Sequence, residues 1–235
     1  KRKYNYCADS LTPIYLISIL GGQESFEKRY LQDQCHMAHI ETITFSLDTD
    51  NLPHSLQEEV LNGGTEWIYE IIDFIDDRFS DVLRRGFLYD NENLLFFELR
   101  DISELGLDSI SIFNFFEKLV TVFDAEYSVY ISVGDSRVNC NDLSEGQRQL
   151  IKILGMLGVC KNEDTLVLMD EPDSHMNPAW KYSLKATIDE CLSEAVNTQA
   201  IIATHDPLVI NGVEKEYIRI FTHNQGLVRN NNWYF

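Results

Sequence analysis

Hydrophobic and polar positions change rhythm along the chain. Pro13 to Leu20 (PIYLISIL) is an apolar run of strand length closed by Gly21-Gly22, and it predicts a strand followed by a turn. ESFEKRYLQDQCHMAHI has the composition of a short helix. HIETITFSLD predicts a strand, although its apolar and polar residues interleave without clean alternation. Asn62-Gly63-Gly64 breaks the chain. From Thr65 an amphipathic helix is expected: Trp67, Ile68, Ile71, Ile72, Ile75, Phe79, Val82 and Leu83 fall at helical spacing, with Glu70, Asp73, Asp77 and Arg84 opposite. NLLFFELRD predicts a strand, and Ile112, Phe113, Phe116, Leu119, Val120 and Phe123 define a second helix. The aromatic density here reads as core or a helix-pair interface, because a ligand pocket would add convergent polar groups.

The last third has a different rhythm. EYSVYISVG alternates like a strand, and NDLSEGQRQLIKILGMLGV turns into a helix. DTLVLMDEP, PAWKYSLKATIDECLSEAV and TQAIIATHDP then follow as strand, helix and strand. That βαβ order predicts a parallel sheet covered by helices, an α/β fold.

Composition narrows the function. The 235 residues allow one large domain or two modest ones. Asp plus Glu number 38 against 19 Lys plus Arg, for a net charge of -19. Such a surface repels phosphate backbones, so nucleic acid is not expected to bind through this acidic piece. No apolar run is long enough to cross a membrane, and no basic segment precedes a long apolar one, so a cytoplasmic protein is expected. Cys7, Cys35, Cys140, Cys160 and Cys191 form no C-x-x-C pair and read as reduced packing thiols. Cys35-His36 with His39 lacks the second pair that would complete a metal site. The chain opens on KRKYNYCADS without Met, so a piece of a longer protein is expected.

Three stretches carry candidate chemistry. In DLSEGQRQL, Ser144 and Gln147 have capping-box spacing, which predicts a helix start with free N–H groups, and Gly146 would let a ligand approach the backbone. In LVLMDEPDSH, an apolar strand runs into Asp170 and Glu171, and two adjacent buried carboxylates are costly without a cation. Ligands of open α/β sheets gather at the carboxyl ends of strands, where Asp170 could support Mg²⁺ and Glu171 could polarise a water. In IIATHDP, a second apolar strand ends on His205, a hydrogen-bond donor at the same sheet edge.

The order of these pieces resembles the head of an ABC-type ATPase, over Asp142 to Ile220. LSEGQ looks like its signature motif, LVLMDE like Walker B with the catalytic Glu, and His205 like the switch histidine. DEPDSHMNP, with His175 and Pro178, followed by ATHDP, is closest to the OLD-family and related AAA-type ABC ATPases of prokaryotic restriction-linked or anti-phage systems. Two positions depart from that pattern: Asp206 stands where Ser is common, and Glu145 stands where Gly is usual. Glu145 must therefore point away from a bound phosphate.

The resemblance implies a P-loop NTPase fold, ATP and Mg²⁺ as cofactors, and a homodimer that sandwiches nucleotide between protomers. Ser144 and Gly146, within the Ser144–Gln147 segment that includes Glu145, would contact the γ-phosphate in trans. Asp170 would hold the metal, Glu171 would act as base and His205 would sense the γ-phosphate. No G-x-x-x-x-G-K-[ST] occurs in these residues, so the Walker A lobe is expected to be missing. Residues 1–138 then read as an insertion or lever region with the remainder of the first lobe, and residues 139–235 as the signature, Walker B and switch lobe. Gln23 lacks the context of a metal-contacting glutamine. The resemblance implies an ATP-gated clamp or sensor with a protein effector as partner. The rival readings are a DNA-repair ATPase of the RecF or chromosome-maintenance kind, and a non-catalytic scaffold holding an effector.

Overall fold

A computed structural model describes residues 11–48, 77–91, 94–123, 125–161, 164–195, 197–222 and 226–229. The Asn62-Gly63-Gly64 break, Cys7 and the first turns of the helix expected from Thr65, including Trp67, Ile68, Glu70, Ile71, Ile72, Asp73 and Ile75, lie outside the described residues. The chain divides into two compact units, Lys1–Cys160 and Lys161–Phe235.

In the first unit, helix α1 spans Thr12–Gly21, a correction to the strand expected there. A short apolar run satisfies either period, and flanking residues decide it. Pro13 suits the first helical turn, where its missing N–H has no partner to lose. The helix is buried on every side from Ile14 to Gly21, so its pattern shows no polar stripe to mark it as helical.

Helix α2 spans Phe26–Cys35 and is capped by Ser25, whose side chain accepts from the Lys28 N–H. His36, in left-handed backbone at φ 56°, ends it. Strand β1 (Met37–Asp48) follows at once, so the Met37–Ile40 tail of the expected helix is strand. Phe79 closes a 3₁₀ turn before α3 (Ser80–Gly86), and Phe79, Val82 and Leu83 are buried as their spacing requires. Strands β2 (Phe87–Asn91) and β3 (Leu94–Leu99), helix α4 (Ser109–Phe123), strands β4 (Glu126–Val133) and β5 (Ser136–Asn139), and helix α5 (Glu145–Cys160) complete the unit.

The five strands form one antiparallel sheet in the order β2-β3-β1-β4-β5. The uneven alternation of HIETITFSLD has a cause, because β1 slips register against β4 between Met37 and Ile40 and again between Ile40 and Thr42. Beyond the slips, Ile43, Phe45 and Leu47 are buried, with Phe97 and Leu99 of β3 and Val129 and Ile131 of β4. Phe45 stands opposite Phe97, and their rings stack with centroids 4.7 Å apart.

Helix α1 packs against β1 and against α4 and α5. Tyr15, fully buried, stacks on Phe113 at 5.3 Å. Gly155 lets α5 approach that ring: a Cβ at this position would stand 2.4 Å from Tyr15. The expected aromatic core is therefore real. It also binds α5 to the first unit, so the compact units divide after Cys160, later than the 138/139 division drawn from the motifs.

The second unit contains strand β6 (Thr165–Asp170), helix α6 (Pro178–Cys191), strand β7 (Thr198–Ala203), and the hairpin strands β8 (Arg219–Thr222) and β9 (Gly226–Arg229). Strands β6 and β7 pair in parallel through α6, from Thr165 opposite Thr198 to Asp170 opposite Ala203. The βαβ expectation holds here. The expectation of a fully buried strand does not. Val167 and Met169 are buried, but Leu166 and Leu168 are 55% and 63% exposed, because one face of this two-stranded sheet is uncovered among the described residues. Asp170 shares that open face, so it bears little of the desolvation cost a buried strand end would impose.

Candidate functional site

The site is built where β6 and β7 end. Glu171 follows Asp170 and turns into left-handed backbone at φ 47°, a conformation a β-carbon disfavours. Its N–H still donates to the Ala203 carbonyl at 2.8 Å, so the turn leaves the sheet only after one more interstrand bond. The Ser174 N–H returns to the Glu171 carbonyl at 3.1 Å and the Met176 N–H to the Asp173 carbonyl at 3.1 Å. His175, at φ 64°, marks a second left-handed residue in the same turn. Asn177 then caps α6 by accepting from the Trp180 N–H at 2.9 Å, and Pro178 occupies the first helical turn. DEPDSHMNP is thus a tight reversal followed by a capped helix start.

At the end of β7, His205 turns toward that reversal. Its Nδ1 lies 2.7 Å from each carboxylate oxygen of Glu171, and the imidazole is otherwise 87% exposed. Hydrogen bonding and charge from Glu171 push the histidine pKa above its usual range, with smaller Coulombic contributions from Asp173 and Asp206. The contact is therefore a charge-assisted donor–acceptor pair while His205 is protonated, and it weakens as pH rises through the midpoint of His205.

Behind this pair lies a polar network the motif reading did not find. Asp173 is 2% exposed and accepts from the Thr204 hydroxyl at 2.8 Å. Lys181 Nζ on α6 lies 3.4 Å from Asp173 and 2.8 Å from Asp206. The Asp206 N–H donates to Thr204 Oγ1 at 3.0 Å, and Lys181 holds the Asp206 carboxyl below its ordinary pKa. The available signal was the third acidic residue of DEPD and the hydroxyl residue directly before His205.

Ser144, Glu145, Gly146 and Gln147 belong to the other compact unit, at the start of α5. The capping box is reciprocal: the Ser144 N–H donates to Gln147 Oε1 at 3.0 Å, and the Gln147 N–H to Ser144 Oγ at 3.3 Å. Ser144 and Glu145 are exposed and Gly146 is buried, so the hydroxyl and not the glycine is the accessible part of this segment. Of the seven residues singled out from the motifs, the structure brings Glu171 and His205 into contact and sets Asp170 beside them on the same strand end.

No three His, Cys, Asp or Glu side chains converge as a metal cage among the described residues. Magnesium does not need one. It keeps several waters and takes one or two carboxylates together with substrate phosphates, a donor set that an exposed Asp170 fits. The cysteines fit packing roles: Cys35, Cys140, Cys160 and Cys191 are buried outside any disulfide, and burial pushes Cys35 to about 11 and Cys140 to about 12.

Residues 39–211 match a family model described as "AAA domain, putative AbiEii toxin, Type IV TA system". That match covers most of the chain and spans the Ser144 cap, the Asp170-Glu171 strand end and His205; the chain belongs to this AAA domain family. Membership implies a P-loop NTPase fold and nucleotide binding. The chain is also similar to a curated relative, the retron Vc95 probable ATPase of Vibrio cholerae serotype O1 biovar El Tor, with 29% identity over 96 residues. That similarity covers 36% of this chain and 18% of the relative, so the chain spans well under two thirds of the relative's length. No helix among the described residues is long and apolar enough to cross a membrane.

Proposed function

We propose that residues 139–235 form the signature, Walker B and switch lobe of an ABC-type ATPase of the OLD-like kind, and that the protein works as an ATP-gated dimeric clamp or sensor in a prokaryotic anti-phage or restriction-linked system. The observation that carries the reading is the Glu171–His205 contact at the carboxyl edge of a parallel strand pair, with Asp170 beside it. A carboxylate and an imidazole within one hydrogen bond of each other, at a sheet edge open to solvent, can supply two roles phosphoanhydride hydrolysis uses, a proton acceptor for water and a hydrogen-bond donor to a phosphate oxygen. The relative's description as a retron ATPase and the family's toxin–antitoxin label support the anti-phage setting.

In this mechanism Glu171 and His205 restrain each other while the site is empty. Arrival of a γ-phosphate gives the imidazole N–H a competing and more highly charged acceptor. His205 then turns to the phosphate, and the freed Glu171 carboxylate accepts a proton from the attacking water. Asp170 would hold Mg²⁺, which on binding neutralises developing charge on the phosphate oxygens. Ser144, exposed at the start of α5, would contact the γ-phosphate bound by a second protomer. ATP binding closes the dimer and hydrolysis reopens it, so nucleotide state becomes a signal to a protein effector. The net charge of -19 favours a protein partner over direct contact with DNA.

The test uses the full-length protein carrying Glu171→Gln. With ATP and Mg²⁺, light scattering coupled to size exclusion should show a persistent dimer where the unmodified protein cycles back to its nucleotide-free state. An unchanged elution and mass with and without ATP would remove the clamp. Stimulation of hydrolysis by DNA with steep salt dependence would transfer the reading to the DNA-repair class.

A further inference from the structure

Residues on both sides of His205 are tied down, while its ring is open to solvent. Thr204 donates to Asp173 at 2.8 Å, and Asp206 is held by Lys181 at 2.8 Å and by its own N–H bond to Thr204 at 3.0 Å. Asp173 sits two residues after Glu171 inside the reversal that carries it, and Lys181 reaches Asp173 as well, at 3.4 Å. The backbone carrying the donor and the backbone carrying the base are thus joined through one buried carboxylate, one hydroxyl and one ammonium.

We infer that Asp173, Thr204 and Lys181 are positioning residues that set the spacing between Glu171 and His205. Asp173 is buried and Thr204 and Lys181 are part-buried behind the exposed His205 ring, so they act through Glu171 and His205. The buried position of Asp173 requires this pairing in any case, since an unpartnered carboxylate there would be expelled or neutralised. Side chains satisfied by each other hold a fixed geometry, and a shift of about 1 Å in a catalytic pair can cost about a hundredfold in rate. With its ring exposed above a backbone held by these contacts, His205 can exchange Glu171 for a phosphate by side-chain rotation alone. The inference rests on the ATPase reading for its consequence but not for its geometry, and the two can fail separately.

The experiment follows the His205 ring directly. In the full chain with isotope-labelled histidine, the His205 resonance is assigned by its loss in His205→Ala and titrated with pH. Its midpoint should lie above that of an ordinary histidine and should fall in Glu171→Gln. Thr204→Val removes the hydroxyl without changing any charge near the ring, and should move the midpoint most of the way to the Glu171→Gln value. Thr204→Ser should restore it. Lys181→Gln removes a positive charge near Asp173 and Asp206, which by charge alone would raise the midpoint, so a fall in that variant would support lost positioning. An unshifted midpoint in Thr204→Val would overturn the inference.

In the full-length protein, Thr204→Val should lower kcat by about tenfold to a hundredfold with KM for ATP nearly unchanged, and Thr204→Ser should recover it. A shifted midpoint in a protein without ATP turnover would leave the positioning network standing and sink the ATPase reading. Full turnover in Thr204→Val with an unshifted ring would do the opposite.

Discussion

The two compact units are held by different forces. In Lys1–Cys160, a buried apolar helix, a stacked Tyr15–Phe113 pair and the inner face of a five-stranded antiparallel sheet form one aromatic-rich core. In Lys161–Phe235, the smaller parallel pair leaves Leu166, Leu168 and Ile201 exposed, and its carboxyl edge is fixed by the Glu171–His205, Asp173–Thr204 and Lys181–Asp206 contacts. Packing is non-directional and tolerates small shifts, whereas each polar contact fixes an angle and a distance. The difference teaches where substitutions should cost stability and where they should cost turnover.

The largest expected effect lies in the second unit. Glu171→Gln keeps the side-chain shape and a hydrogen-bond acceptor but removes the base, and loss of a general base typically costs about 10²–10⁴-fold in rate. The fold should hardly notice, because the Glu171 N–H bond to Ala203 is backbone. Steady-state ATP hydrolysis by the full-length protein measures the first part and thermal denaturation the second. A large loss of stability with turnover retained would reverse the comparison between the units.

The opposite profile is expected at Gly155. Alanine there gains about 1 kcal/mol of helix propensity over glycine. Its Cβ, however, would stand 2.4 Å from Tyr15, a ring that is fully buried and stacked on Phe113 and so has nowhere to move. Overpacking of a filled core costs about 1–3 kcal/mol, and a 2.4 Å clash on a fixed ring lies at the upper end, so Gly155→Ala should destabilise by up to about 2 kcal/mol net. Denaturant titration of the chain gives the number; a more stable variant would show that α1 and α5 are less tightly packed than their geometry implies.

Legibility in the sequence follows the same division. The βαβ order, the capping box at Ser144 and the strand ends carrying Asp170, Glu171 and His205 were readable because each is a local pattern with its own spacing. Helix α1 was not, because PIYLISIL is apolar at both periods and only burial from all sides distinguishes the two. The exposure of Leu166 and Leu168 was also hidden, since an apolar run predicts burial and cannot say that one face of a sheet lies open. The Asp173–Thr204–Lys181 network was missed for a related reason. Its members are separated by 31 positions between Asp173 and Thr204, and only the parallel register of β6 and β7 brings them together.

Ser144 tests the comparison more gently, since it belongs to the first unit by packing and to the proposed nucleotide site by chemistry. Ser144→Ala removes one arm of the capping box and should cost about 1 kcal/mol of stability, as helix N-caps generally do. If the exposed hydroxyl also contacts a γ-phosphate across a dimer, ATP-dependent dimerisation of the full-length protein should weaken by more than this loss accounts for. Ser144→Asp separates the two roles: aspartate caps a helix as well as serine does, but it would bring a negative charge toward a phosphate. Stability restored with assembly still lost would assign Ser144 to both tasks, whereas assembly restored along with stability would leave it a cap alone.

The smallest effect should come from the open face of the β6–β7 pair. Leu168 is 63% exposed, so Leu168→Ser removes little buried apolar surface. Surface changes of this kind usually stay within about 0.5 kcal/mol. The same substitution at Val167, one residue earlier and 4% exposed, turns its side chain into the packed face and should cost several times more. Two neighbouring positions with sharply different penalties, measured by denaturant titration, would establish that β6 is packed on one side only. Equal penalties would mean that Leu168 is covered in solution, and the second unit would then owe more of its stability to packing than its described residues display.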